Sequence, residues 1–232
     1  YDEEKVKSTW NFINKLWNAS RFVLMNIEDL NTDTYTFDNL SISDKWILNK
    51  LNNLIKLVRK HMEKYEFNVV GSELYSFIWD NFCDWYIELA KHNMNNTTKS
   101  VLLKVLTDIL KLLHPFMPFV TEEIYQILPI KETESIMIST YPKYDKKYVF
   151  TDTLDLMDNI RDFITKARTS KKDNNIKKIN IKGHADYDDY GKDIVCSSVS
   201  SITITTVNAI LMFDKNYIIF HYYSSYSNLP LY

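Results

Sequence analysis

Residues 101–114 read VLLKVLTDILKLLH, and within them Val101, Leu102, Val105, Leu106, Ile109, Leu112 and Leu113 recur close to a helical period. That period stacks them on one side of an α-helix and predicts a continuous apolar stripe. Pro115 and Pro118 follow, so the helix ends or kinks there. The same period extends through the flanking sequence. Val6, Trp10, Ile13, Trp17, Ser20, Leu24 and Ile27, widened by Leu16 and Val23, predict a first helix over 3–27. Ile47, Leu48, Leu51, Leu54, Ile55, Val58 and Met62 predict a second, N-capped by Ser43 and ending near Lys64. Val70, Leu74, Phe77, Ile78, Phe82, Trp85 and Leu89 predict a third from Val69 to Lys91, with Gly71 near its start as a point of close packing. A short helix after Pro118 is expected to carry Glu122 and Glu123 in its first turn, where carboxylates suit the dipole. Four or five such helices pack as a bundle.

Between these elements the polar run 31–43 reads as a loop, Ser135 to Pro142 as extended chain, and Lys143 to Tyr148 as a linker. Beyond it, Leu154 to Ala167 returns to helical spacing. Ile176 to Lys182, Ser201 to Thr206, Ala209 to Phe213 and Tyr217 to Tyr223 read as strands. The expected class is therefore mainly α: a helix bundle over 1–148 followed by a small α+β domain over 149–232.

With 232 residues, 45% of them hydrophobic, the chain can bury a real core, and 3 glycines with 5 prolines favour long helices over a turn-rich β fold. Its net charge of −2 supplies no global field toward nucleic acid, so any such binding has to come from a local patch. Cys83 and Cys196 make no disulfide framework and no CxxC pair, which points to a reducing compartment. No apolar run reaches membrane-spanning length and Tyr1, Asp2, Glu3 and Glu4 are unlike a signal peptide, so a cytoplasmic protein with no membrane partner is expected. The chain opens without Met directly into a helical pattern and reads as an excised fragment.

No glycine-rich phosphate loop, GxSxG elbow, HExxH or clustered ligand set occurs, so neither catalytic residues nor a metal site is assigned. His61, His92, His114, His184 and His221 are scattered and read as ordinary surface or core histidines. Taken alone, these features describe a binding module.

Four segments carry a resemblance. They are Asn11-Phe12-Ile13-Asn14-Lys15-Leu16-Trp17-Asn18-Ala19 with Arg21-Phe22; Phe82-Cys83-Asp84-Trp85-Tyr86-Ile87-Glu88; Leu113-His114-Pro115-Phe116-Met117-Pro118-Phe119 with Thr121-Glu122-Glu123; and Ser135-Ile136-Met137. In this order and spacing they resemble the valyl-tRNA synthetases, strongly over 1–170 and weakly beyond. The resemblance implies a helical anticodon-binding domain that follows a Rossmann-type catalytic domain with HIGH and KMSKS signatures, neither of which is present here. It further implies that the full-length enzyme uses ATP with Mg to join valine to tRNA(Val). This fragment would need no cofactor and be inactive alone. Its partners would be tRNA(Val) and, in cis, the catalytic domain and a C-terminal coiled coil, with the protein a monomer.

A single-stranded anticodon is read by stacking on aromatic rings and by hydrogen bonds to base edges, while cations hold phosphates. Asn11, Asn14, Lys15, Asn18 and Arg21 share roughly one face of the first helix, and Phe22 adjoins it. The resemblance implies that Lys15, Arg21 and Phe22 contact the anticodon and that Ile87 and Glu88 approach it from the third helix. A valine anticodon ends in C, from whose amino group a carboxylate such as Glu88 can accept a hydrogen bond. The five tryptophans fall in apolar stripes and are assigned to packing. Over 161–182, Arg161, Lys166, Arg168, Lys171, Lys172, Lys177, Lys178 and Lys182 face only Asp162 and Asp173, a net +6 that could follow tRNA phosphates. Two other readings fit the same pattern: the homologous domain of an isoleucyl or leucyl enzyme, and a helical scaffold for protein partners.

Overall fold

The protein was analysed as a computed structural model, which describes residues 3–172, 180–181 and 221–222. Among these, the chain divides into two units, Tyr1–Leu154 and Asp155–Tyr232. The first is all helical: α1 (Glu3–Asn26), α2 (Ile42–Met62), α3 (Phe67–Ser76), α4 (Ile87–Ala90), α5 (Asn96–Leu113) and α6 (Pro118–Gln126), with 3₁₀ turns at Ile136–Ile138 and Lys146–Tyr148. α5 is the central rod. Val101, Leu102, Val105, Leu106, Ile109, Leu110 and Leu112 are fully buried, and α1, α2, α3 and α6 pack on it.

The stripe α1 buries overlaps the one its sequence predicts at Leu16, Ser20, Val23 and Ile27 but is shifted around the helix elsewhere. Phe12, Leu16, Ala19, Ser20, Val23 and Ile27 face the core, whereas Trp10 is 62% exposed and Trp17 37%. Packing therefore holds for Trp46, which is fully buried, and not for Trp10 or Trp17. Both stripes follow three- and four-residue steps, so period alone does not choose between them.

Ser41, not Ser43, caps α2. Its hydroxyl accepts from the Asp44 backbone N–H while the Asp44 carboxyl accepts from the Ser41 backbone N–H at 3.0 Å, a reciprocal capping box. Asp44 is only 1% exposed. Its Oδ1 also accepts from the Tyr86 hydroxyl at 2.6 Å, and its Oδ2 from Ser41 Oγ at 2.6 Å and Thr98 Oγ1 at 3.3 Å. One side chain thus joins the starts of α2 and α5 to the segment that follows α3. Burial beside Asp44 pushes the Tyr86 phenol well above its ordinary range.

Between α3 and α4 the helix continues without a break but widens into π geometry over Phe77–Tyr86, with Ile87 N–H donating to the Phe82 carbonyl five residues back. The buried residues explain the widening. Leu74, Ile78, Phe82, Tyr86 and Ala90 recur every four residues and all are buried. In an α-helix a strict four-residue repeat drifts by about 40° per step, or about 160° across this run. Wider i→i+5 turns cancel that drift and hold all five against the core. Gly71 lies on the open side of α3, where an added Cβ would meet nothing within 4 Å.

α6 starts at Pro118, a position that needs no N–H donor, so Glu122 and Glu123 lie beyond the first turn. Glu122 instead accepts from Ser135 Oγ at 2.9 Å and from the Ile136 N–H at 3.3 Å, fastening the segment after α6. That segment crosses the bundle as a strap. Lys111, 8% exposed, donates to Glu132 at 2.5 Å and to the Thr140 carbonyl at 3.2 Å. The Asn52 amide then exchanges two 2.9 Å hydrogen bonds with the Asp145 backbone. Ser135 to Pro142 is accordingly part 3₁₀ turn, and 143–148 is a docked segment, not a free linker.

In the second unit, α7 (Thr151–Lys172) crosses the division and β1 (Asn180–Ile181) pairs in parallel with β2 (His221–Tyr222). These strands fall inside two of the runs expected to be extended. The strands expected at 201–206 and 209–213 lie outside the described residues.

Removing the Asp44 carboxyl leaves buried hydroxyls without an acceptor. Asp44→Ala should lower unfolding stability by about 3 kcal/mol and Tyr86→Phe by about 1.5 kcal/mol, read from urea titration. The Lys111 hydrogen bond holds the Glu132 carboxyl below the usual range. A depressed folded-state pKa adds stability above the unfolded value and loses it as pH falls through the folded one. Glu132→Gln should therefore destabilise the protein at neutral pH and match wild type once the medium is acid enough to protonate Glu132, as thermal melts across pH would show.

Candidate functional site

α1 and the α3–α4 helix lie side by side, and their contacts follow the same order along both. Phe12 stacks on Tyr75 with ring centroids 5.0 Å apart, and Tyr75 stacks on Trp79 at 5.5 Å and 11°. One step further, the Lys15 ammonium sits 3.6 Å from the Trp79 ring centroid and donates to Asp84 at 2.6 Å. Near the far end, the Lys91 ammonium lies 5.4 Å from the Phe22 ring centroid and donates to Glu88 at 2.6 Å. The seam is thus a row of aromatic faces and ammonium–carboxylate pairs along an accessible edge. Aromatic faces are a surface on which unpaired bases stack, and ammonium groups hold phosphates.

The residues expected to form the site distribute as follows. Asn11, Asn14, Asn18 and Arg21 are exposed, Phe22 is half-buried, and Lys15 is half-buried because it leans on α3 rather than into solvent. Glu88 is exposed but already paired with Lys91. Ile87 is 6% exposed and belongs to the core, so it supports Glu88 from within instead of offering its own surface. Tyr75, Trp79, Asp84 and Lys91 complete the seam; the sequence pattern assigns Trp79 to packing and gives the other three no role. Cys83 lies in the same segment, where burial pushes its thiol up to about 12 although Lys15 opposes this, which disfavours the thiolate form that a nucleophile uses.

In the basic run, Arg161 lies 3.9 Å from Asp158 and Lys166 2.5 Å from Asp162, both along α7. Asp158 precedes the counted window, so the run is less positive in its surroundings than +6. The side chains of Arg168, Lys171, Lys172, Lys177, Lys178 and Lys182 lie outside the described residues. Among the described residues no group of three or more His, Cys, Asp or Glu could hold a metal ion, and no helix is long and apolar enough to cross a membrane.

Two families match this chain. Residues 164–225 match the cysteine protease Prp family. Cys196 is the one cysteine of that span, and His184 and His221 are its histidines. The sequence reading gave them no chemistry, because a nucleophilic Cys and its His meet in space with no fixed spacing along the chain. Residues 44–182 match the anticodon-binding domain of tRNA ligase, sharing 164–182 with the first match. Among curated proteins, the valine–tRNA ligase of Staphylococcus epidermidis is 48% identical over 180 residues, 74% of this chain and 20% of the relative. That of Listeria monocytogenes is 48% identical over 183 residues, 75% and 21%. The Listeria innocua enzyme is 55% identical over 152 residues, 62% and 17%. The chain spans about a fifth of the length of these relatives. Because the anticodon-binding match takes in more than half of its residues, with α3 to α6 and most of α2 among them, the chain belongs to the anticodon-binding domain family of tRNA ligases.

Proposed function

We propose that this chain reads the anticodon of tRNA(Val) as one part of a valine–tRNA ligase, acting by positioning RNA rather than by making or breaking bonds. The observation that carries the proposal is the 48–55% identity to valine–tRNA ligases over 62–74% of the chain. The α1 edge supplies the means. Arg21 and Lys15 hold phosphates or base carbonyls, Asn11, Asn14 and Asn18 line the polar face beside them, and Phe22 offers a ring to an unpaired base. Glu88 accepts from the amino group of the last anticodon base once Lys91 yields it. Activation of valine with ATP and Mg falls to the catalytic domain of the longer enzyme, a cytoplasmic monomer in this reading, and no step of the present function runs through them. Arg161, Lys166, Arg168, Lys171, Lys172, Lys177 and Lys178 serve as an auxiliary phosphate track.

Filter binding tests this with tRNA(Val) and a transcript altered at the middle anticodon base. The expected result is about tenfold tighter binding of the unaltered tRNA, and Glu88→Ala should relax discrimination at the last anticodon base by a similar factor. Equal binding of both transcripts removes the anticodon-reading function.

A second reading concerns 164–225, favoured by the match to a cysteine protease family. A thiol hydrolase needs a thiolate and an imidazole that takes its proton. Cys196 is then the nucleophile and His184 or His221 the base. Cys83, with its raised pKa, is an internal control. Iodoacetamide at neutral pH should alkylate Cys196 well before Cys83, and either His184→Ala or His221→Ala should slow that reaction about tenfold while leaving Cys83 unchanged. Alkylation of Cys196 at the same rate in both variants would exclude an activated thiol.

A further inference from the structure

We propose that the π-helical segment Phe77–Tyr86 is a clamp that fixes the Lys15 ammonium at the edge of the RNA surface, with Trp79 and Asp84 as positioning residues. The proposal rests on the reading of Lys15 as an RNA contact and names what sets its position. Trp79 and Asp84 are five residues apart. In an α-helix they would point about 140° away from each other, and one lysine could not meet both. In the i→i+5 geometry of this segment they rise nearly above one another. Lys15 meets both, 3.6 Å from the Trp79 ring centroid and 2.6 Å from Asp84 Oδ1. The ring is itself held, stacked on Tyr75, which stacks on Phe12 of the same α1 helix.

The consequence is preorganisation. A lysine free on a helix surface is a mobile point charge on a four-carbon stem and loses its rotamer freedom when it binds. Here the side chain is only 24% exposed and its stem is already ordered. An ammonium has three N–H donors, so Asp84 and the Trp79 face leave a donor for a phosphate or carbonyl oxygen. The negative charge of Asp84 opposes RNA by simple electrostatics, whereas its hold on Lys15 favours it. The two roles predict opposite signs.

The test uses the full 232-residue chain and tRNA(Val). For a clamp, Asp84→Asn and Trp79→Leu each weaken binding about fivefold, although the first removes a negative charge. In a Lys15→Ala background Asp84→Asn has no weakening effect. In the protein without RNA, the Lys15 ε-methylene proton signals lie upfield under the Trp79 ring and return toward the free-lysine position in both variants. Tighter binding by Asp84→Asn, or unshifted Lys15 signals in the wild type, overturns the clamp. If instead Lys15→Ala leaves affinity unchanged while the NMR shift is present, the clamp geometry stands and Lys15 is not an RNA contact, which refutes the underlying reading and with it the clamp's role in binding.

Discussion

The carboxyl group of Asp44 is the point on which the helical unit turns. It closes the capping box of α2 from within, and its two oxygens accept from three further hydroxyls, two of them on other elements. A buried acceptor with this many donors is stable only if every donor arrives in place, so the starts of α2 and α5 and the end of the π segment are located together. Apolar burial holds the helices against one another but does not fix their axial register. A hydrogen-bonded polar group in a nearly dry site does.

From Tyr86 the constraint passes along the helix. Holding Tyr86 on Asp44 while Leu74, Ile78 and Phe82 remain buried demands a four-residue repeat on one face. The chain meets that demand by widening its turns. The widening has an effect on the opposite side as well, because it brings Trp79 and Asp84 under one lysine of α1. A core requirement thereby shapes the edge on which the proposed RNA contacts lie.

How much of this is legible in the sequence varies with the kind of interaction. The α5 stripe and the proline boundary after it are local and plain, and α5 forms as its spacing predicts. α1 is ambiguous because it carries two apolar stripes, and only the position of α5 and the π segment decides that Phe12 and Leu16 turn inward while Trp10 and Trp17 stay out. The Ser41–Asp44 box lies only two residues upstream of Ser43 and carries the same residue type, so the sequence does not separate the two caps. The repeat Leu74, Ile78, Phe82, Tyr86, Ala90 was also visible, yet a four-residue period is easily absorbed into a helical reading that tolerates steps of three and four. Lys15, Arg21, Phe22 and Glu88 were reached through resemblance, but their partners Trp79, Asp84 and Lys91 depend on which residues of two helices face each other. That depends on packing, and no single segment encodes it.

The near-neutral charge of the chain, which at first counts against an RNA partner, takes on a different meaning once the seam is described. Lys15 is paired with Asp84 of the neighbouring helix, and Lys91 with Glu88 one turn back on its own. Such exposed pairs contribute little to stability. What they do is keep two cations ordered and their positions defined without building a strong field. Affinity drawn from an unpaired basic patch is mostly indifferent to sequence, since it comes from releasing counterions along the phosphate chain. An ammonium held in place by a resident carboxylate offers its remaining donor only to an acceptor that sits in the right place. An edge of paired charges and half-covered rings therefore suits selection among RNAs better than capture of any RNA, and it leaves bulk affinity to be supplied from elsewhere.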